Sequence, residues 1–413
     1  MNNKTGATLT TIQRNVYSDG ISKPSSGGKA TKGEVIIVSL ATFLVFFQGL
    51  MVAPLLPELS VFFGTSVRQI SFIEPVYLLG YGAFTLVYAP LSDRYGRFKI
   101  IVLSLILFII FSACTALVVN AGQMILLRLL AGASAAGIAP TTISWISDRF
   151  PYSERGYALG IFFGCMAGGT AFGSSTGALL AGVIGWRALF VAIAFAGGIV
   201  LLLNVYHRRR LFPAVPPSQQ RSSGVTAFKE ILSTPGAKGT YFFVFENGLF
   251  HSGVFAWLGV YFYHFFHLSE RGIGLALLGY GIPGLVLGPV LGRMADRIGR
   301  KKVIPSGILL GGITVILLSC VPHLFVACIL VSLLSLSFDL THPSLAAIVT
   351  SFSNKKAGSS TGLFAFFLFA GYGFGSLLFS LLVSMGLIET LRVFGLMAII
   401  VSLAARVFFR NVH

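Results

Sequence analysis

Six ionisable side chains interrupt long apolar runs in this 413-residue chain: Glu74, Arg128, Glu246, His251, Asp339 and His342. If those runs cross a bilayer, each such group at depth costs on the order of 2.5–3.5 kcal/mol to insert. A residue kept at that cost is a functional candidate. Asp339 and His342 stand three apart, so on a helix they share a face. A carboxylic acid shielded from water, with a histidine beside it, can exchange protons near neutral pH. Glu246, Asp339 and His342 are therefore read as candidate proton-exchanging groups. The alternative is a structural hydrogen-bonded set that fixes two helices. Arg128 cannot shed its proton; it would act on a nearby carboxylate or hold an anion. Gln48 is the polar mid-run residue of the first apolar stretch. His251 also fits a satisfied core histidine, and Glu74 an acid that reaches water or pairs with Arg68.

The elements that must position these residues follow from composition. Hydrophobic residues make up 55% of the chain and charged residues 10%, with a mean hydropathy of +0.85. A soluble domain cannot cover so much apolar surface with so few charges, and a disordered chain would be polar. The four cysteines, Cys114, Cys165, Cys320 and Cys328, sit in apolar stretches and read as small hydrophobes. A crossing helix needs about 20 mostly apolar residues. Twelve runs meet that need, at roughly 35–57, 70–90, 99–119, 121–146, 157–183, 187–206, 239–263, 272–292, 302–320, 323–350, 358–384 and 388–409. Because lipid offers the backbone no partner, each run must be helical. The expected fold class is an all-α membrane protein.

Of the 30 Lys and Arg, 25 fall in the tail and alternate loops on one side. Arg68, Arg187, Arg271 and Arg392 fall on the other, and Arg128 lies within a run. That asymmetry puts both termini in the cytoplasm. It also accounts for the net charge of +17 without nucleic acid, and makes anionic lipid headgroups the expected partners of the loops. Residues 1–33 lack an apolar core, so no cleavable signal peptide is expected there. The expected organisation is a flexible tail (1–33), a six-helix bundle (34–206), a cytoplasmic linker (207–238) and a second six-helix bundle (239–410).

Two loops spell one phrase. Asp93-Arg94-Tyr95-Gly96-Arg97-Phe98-Lys99 and Asp296-Arg297-Ile298-Gly299-Arg300-Lys301-Lys302 both read D-R-x-G-R-x-K, 203 residues apart. Each follows the second run of a six-run half, so the halves are parallel repeats. With Ala89 and Ser92 before the first copy, and Gly292 and Ala295 before the second, this resembles the major facilitator superfamily over about residues 35–409. Ala89 stands where the family pattern opens with Gly, which predicts looser backbone packing there. Asp93 and Asp296 lie at helix ends, where a carboxylate can pair with a helix N-terminus. Gly96 and Gly299 permit the turns. The resemblance implies a conformational latch built from Asp93, Arg94, Gly96, Arg97, Asp296, Arg297, Gly299 and Arg300.

The resemblance also implies a fold of twelve transmembrane helices in two pseudo-symmetric six-helix bundles, with helices 1, 4, 7 and 10 lining a central cavity, so that Glu246 would face Asp339 and His342 across the second half. Arg128 and Gly132 resemble the family's R-x-x-x-G signature in helix 4. Gly164, Gly173 and Gly177 match part of the glycine pattern that exporters of the drug:proton antiporter branch carry in helix 5, although Ala178 replaces its proline. The same glycines also suit plain helix packing. Pro54-Leu55-Leu56-Pro57 resembles the branch's P-x-x-P. The implied activity is proton-coupled efflux of a small amphipathic or hydrophobic compound by alternating access, by a monomer in a bacterial inner membrane. The alternative is proton-coupled uptake of a sugar, organic anion or other metabolite; a non-transporting sensor on the same fold is a third reading. Neither catalytic machinery nor a bound cofactor or metal is expected.

Overall fold

The structure, a computed structural model, describes residues 30–52, 55–65, 67–70, 72–212, 225–321, 323–352 and 357–412. Residues 1–29 of the expected tail, 213–224 of the expected linker, Pro54, Lys355 and Lys356 lie outside the described residues.

Twelve elements run back and forth. They are α1 (Lys32–Met51), α2 (Ile73–Tyr95), α3 (Arg97–Thr115), α4 (Ala121–Ala135 with Ala139–Arg149), α5 (Arg155–Ile184), α6 (Trp186–Tyr206), α7 (Ala237–Phe266), α8 (Glu270–Leu278 with Ile282–Ile298), α9 (Arg300–Leu318), α10 (Leu324–Val349), α11 (Ala357–Leu382) and α12 (Leu387–Val412). Among the described residues, ten helical stretches are long and apolar enough to cross a membrane. The other two, α2 and α7, are long enough at 23 and 30 residues. Their polar content sets them apart: α2 carries Glu74, Asp93 and Arg94, and α7 buries Glu246, Asn247 and His251 inside the protein.

Two expected spans are broken. In α4 the chain turns at Ala136–Ile138 and resumes with Pro140 in its first turn. In α8 it turns at Gly279–Gly281 and resumes with Pro283 in its first turn. Proline supplies no N–H, so the carbonyl four residues earlier loses its helical donor. The first span ends at Met51, short of the expected 57, and a separate helix Leu56–Phe63 follows it.

Within the first half α1 packs on α5, α2 on α4 and α3 on α6; within the second, α7 packs on α11, and α9 on α10 and α12. Two seams join the halves, α5 against α8 and α2 against α11. Lipid provides no hydrophobic drive for helix association, so small residues that admit close backbone contact decide these seams. Gly156, Gly160 and Gly164 of α5 abut Gly292, Gly288 and Gly284 of α8, and there is no room for a methyl group at any of these contacts. At the other seam, α11 supplies both small residues. Gly358 meets the carbonyl of Ala89 and Gly362 meets its methyl group. The methyl of Ala89 is thus accommodated by glycine on the opposite helix.

Candidate functional site

The first site lies at the end of the molecule rich in Lys and Arg. Gly96 and Gly299 both adopt φ of 95°, a conformation open to glycine, and turn α2 into α3 and α8 into α9. The turns hold Asp93 and Asp296 at helix ends that face the opposite half. Asp93 accepts from the backbone N–H of Gly358 (2.8 Å) and Ser359 (2.8 Å) and from Ser359 Oγ (3.0 Å). Asp296 accepts from the N–H of Gly156 (3.2 Å) and Tyr157 (3.3 Å). Each carboxylate therefore caps the N-terminal turn of a helix in the other half, where orphan donors and the helix dipole favour a negative charge. Arg97 (2.6 Å) and Arg300 (2.5 Å) hold the two carboxylates in place from one turn away. Arg97 also reaches Asp148 (3.0 Å), and Arg300 bonds to the carbonyl of Tyr152 (2.9 Å) and lies over its ring. The other two arginines of the phrase, Arg94 and Arg297, are exposed. Two further links close the same end. Arg155 donates to Thr350 Oγ1 (3.2 Å), and the Ser144 and Thr361 hydroxyls stand 2.7 Å apart.

The second site lies at mid-depth. Asp339 is 3% exposed, accepts from Ser335 Oγ (3.2 Å) and presses its carboxylate against the backbone of α8 at Gly284. One turn on, His342 is enclosed by three phenylalanines. It stacks on Phe338 (centroids 4.2 Å apart) and meets Phe364 (5.2 Å) and Phe163 (5.2 Å), the last coming from α5 across the seam. Its Nδ1 is 2.7 Å from Asn247 Nδ2, while its Nε2 has no hydrogen-bond partner. His251 Nδ1 meets Tyr280 Oη (3.1 Å) and its Nε2 meets Ser337 Oγ (3.2 Å). His251 of α7 and Asp339 of α10 are thereby tied to α8 at its break and one turn beyond it.

The remaining candidates sit elsewhere. Glu246 is 5% exposed and neither carboxyl oxygen has a partner. It shares a helix face with Gly239 and Gly253, seven residues away on either side, and those glycines abut Phe408 and Phe394 of α12. Glu246 therefore turns toward α12, while Asn247 and His251 turn toward α10. The expectation that Glu246 faces Asp339 and His342 does not match this register. Arg128 is fully buried and donates to the carbonyls of Ile73 (3.2 Å), Gln48 (3.4 Å) and Gly49 (3.2 Å), with its guanidinium 4.2 Å from the centre of the Tyr77 ring. It clamps the ends of α1 and α2 onto α4, and Gly132 makes room for the Tyr77 backbone. Gln48 donates to Ser112 Oγ of α3 (2.8 Å), inside the first half. Gly173 packs on α1 at Phe47 and Gly164 on α8; Gly177 is buried.

Sequence reasoning does not single out Asn247 or Tyr280. Asn247 adjoins Glu246 and was open to the same depth argument. Tyr280 stands just before Pro283, which marks the break.

Comparison with known proteins agrees with the architecture. The Major Facilitator Superfamily model matches residues 38–269 and 241–413. The MFS-type transporter YceJ of Bacillus subtilis is 29% identical over 84% of this chain and 94% of its own length. A second B. subtilis transporter, YwfA, is 28% identical over 78% of this chain and 79% of its own. The multidrug resistance protein Stp of Mycobacterium tuberculosis is 28% identical, over only 41% of this chain and 32% of its own. The crystal structure of the human organic anion transporter MFSD10 superposes with a TM-score of 0.74 over 92% of this chain and 100% of that one, at 15% identity, a likeness of fold. The chain belongs to the Major Facilitator Superfamily and is a multi-pass membrane transporter of small-molecule solutes.

Proposed function

We propose that the transporter exports a small amphipathic or hydrophobic compound in exchange for protons, by alternating access, from a bacterial inner membrane with both termini in the cytoplasm. One observation carries this reading. His342 of α10 meets Phe163 of the first half at mid-depth, while the carboxylate clamps close the basic, cytoplasmic end. Rocking the halves apart must break the clamps and must also pull Phe163 away from His342. Proton binding at Asp339, His342 or Glu246 then favours one arrangement over the other. The partial glycine pattern of Gly164, Gly173 and Gly177 and the relatives named as efflux or multidrug resistance proteins support export. Uptake of an organic anion held by Arg128 is disfavoured, because the backbone carbonyls of α1 and α2 already occupy that guanidinium.

The deciding experiment uses inside-out vesicles with an acidic interior and a panel of amphipathic compounds. An exporter accumulates solute in these vesicles and loses the activity when the pH gradient is collapsed. Accumulation confined to right-side-out vesicles with an acidic exterior would establish uptake and overturn the proposal.

A further inference from the structure

The chain leaving α6 is pinned before it enters the linker. Leu211 is fully buried, and its carbonyl accepts from Trp145 Nε1 of α4 (2.6 Å). Phe212 packs on Phe98 and Trp145, with centroids 5.2 and 6.1 Å apart. The Arg208 guanidinium lies 4.8 Å from the centre of the Phe98 ring. The short helix Arg208–Leu211 is thus held in one orientation at the basic end of the molecule. Arg209 and Arg210, both exposed, line a cleft of about 270 Å³ together with Tyr206 and His207.

No acid neutralises this cleft. The sequence holds no Asp or Glu between Glu154 and Glu230. Four acids packed at this end are paired elsewhere: Asp93 and Asp148 with Arg97, Asp296 with Arg300, and Glu34 with Arg149. Among the described residues no ion pair involves Arg209 or Arg210. Guanidinium groups match phosphate oxygens through paired N–H donors, and basic pockets at the cytoplasmic ends of membrane helices take lipid headgroups. Successive residues on a helix diverge by about 100°. Two adjacent arginines around one cleft therefore suit two separated phosphates better than a single one.

The surface beside the cleft favours a lipid over a soluble anion. Phe195, Ile199, Leu202 and Tyr206 are exposed and lie at helical spacing, so they form one apolar face of α6 that ends at the cleft. Tyr206, 84% exposed, stands where tyrosines anchor helices at the membrane surface. The internal repeat does not carry the cluster. At its offset of 203, Phe409, Val412 and His413 stand in place of Tyr206, Arg209 and Arg210. The two arginines are an addition to the first half.

We propose that Tyr206, His207, Arg209 and Arg210 form a binding site for an anionic lipid whose headgroup carries two phosphates, with its acyl chains along the exposed face of α6. A built site differs from the general attraction of basic loops for anionic headgroups, because it saturates and depends on which cations are removed. The proposal holds whichever way the transporter runs.

The delipidated full-length protein is titrated in detergent with diphosphatidylglycerol, which has two phosphates, and with phosphatidylglycerol, which has one. Bound lipid is counted by native mass spectrometry. Diphosphatidylglycerol is expected to fill one site at least tenfold more tightly than phosphatidylglycerol. Arg209→Gln combined with Arg210→Gln should weaken it at least tenfold. Lys301→Gln combined with Lys302→Gln removes the same charge from exposed positions at the same end and should leave the affinity within twofold. Glycerol bisphosphate, the two phosphates without acyl chains, should not displace the lipid at equal concentration. Equal affinity for the two lipids, an arginine variant that binds as the parent, or equal losses in the two double variants would each overturn the site. Displacement by the soluble bisphosphate would overturn the lipid as its occupant.

Discussion

Glu246 holds a buried carboxyl group whose oxygens accept no hydrogen bond, on the face of α7 whose glycines, Gly239 and Gly253, abut α12. A buried polar group left unpaired costs about 1–3 kcal/mol. Glu246→Leu is therefore expected to raise unfolding stability by about that amount, read as a higher melting temperature of the purified protein. If the carboxyl also exchanges a proton during transport, Glu246→Gln should lower gradient-driven flux at least tenfold while solute binding at equilibrium stays unchanged. Flux equal to the parent would remove Glu246 from the coupling step. Arg128 has the opposite profile. Its three carbonyl bonds and the Tyr77 contact make it a clamp, so Arg128→Gln should destabilise the fold by about 2–4 kcal/mol, since bonds to charged groups are worth more than neutral ones. The candidates themselves are legible in the sequence, because a charge in an apolar run stands out by its cost. The face each one turns to is not. Glu246 and Asn247 are adjacent in sequence, yet the first lies on the face of α7 that turns to α12 and the second bonds to α10, and only the packing of neighbours decides which. Tyr280 is invisible for another reason: an aromatic residue in an apolar run looks like any other lipid-compatible side chain.

Among the elements, the α5–α8 seam is built from glycines at four-residue spacing on both helices. Spacing of that kind places them on one face, and lipid entropy and dispersion can then draw the backbones together. A side chain at Gly160 would meet the Gly288 carbonyl. Gly160→Val is thus expected to wedge the halves apart near the basic end while each half stays folded. The readout is the labelling of Thr361→Cys, buried on α11 beside Ser144 in the parent, by a membrane-impermeant maleimide. Labelling should rise several-fold in the wedged protein, and an unchanged rate would show that the seam can absorb the added bulk. Helix number is legible in the sequence because run length maps directly onto bilayer thickness. The breaks in α4 and α8 are signalled by Pro140 and Pro283. Reading them takes the knowledge that the freed carbonyls find no lipid partner and so must turn toward the protein interior. Ala89 shows the same limit. The sequence marks the missing glycine, but Gly358 and Gly362 compensate for it from the other half of the chain.

At the scale of the whole molecule, two carboxylates 203 positions apart do the same work by near-symmetry. Asp93 caps α11 and Asp296 caps α5, so each half grips the other at a helix N-terminus. If the halves move as rigid bodies, opening the basic end must break both grips at once, and their energies should add. Converting one carboxylate to an amide removes a charge-assisted bond set worth about 1–3 kcal/mol, roughly a fivefold to hundredfold shift toward the open arrangement. Asp93→Asn and Asp296→Asn should each produce such a shift, and the double variant should show the product of the two. The measurement is the distance distribution between spin labels on Lys99→Cys and Lys302→Cys, both exposed at this end, with the four native cysteines replaced by serine. A double variant no more open than either single one would mean that the halves flex internally and can release one grip while keeping the other. Alternating access by rigid rocking would then give way to motion of individual helices, with the α4 and α8 breaks as the hinges.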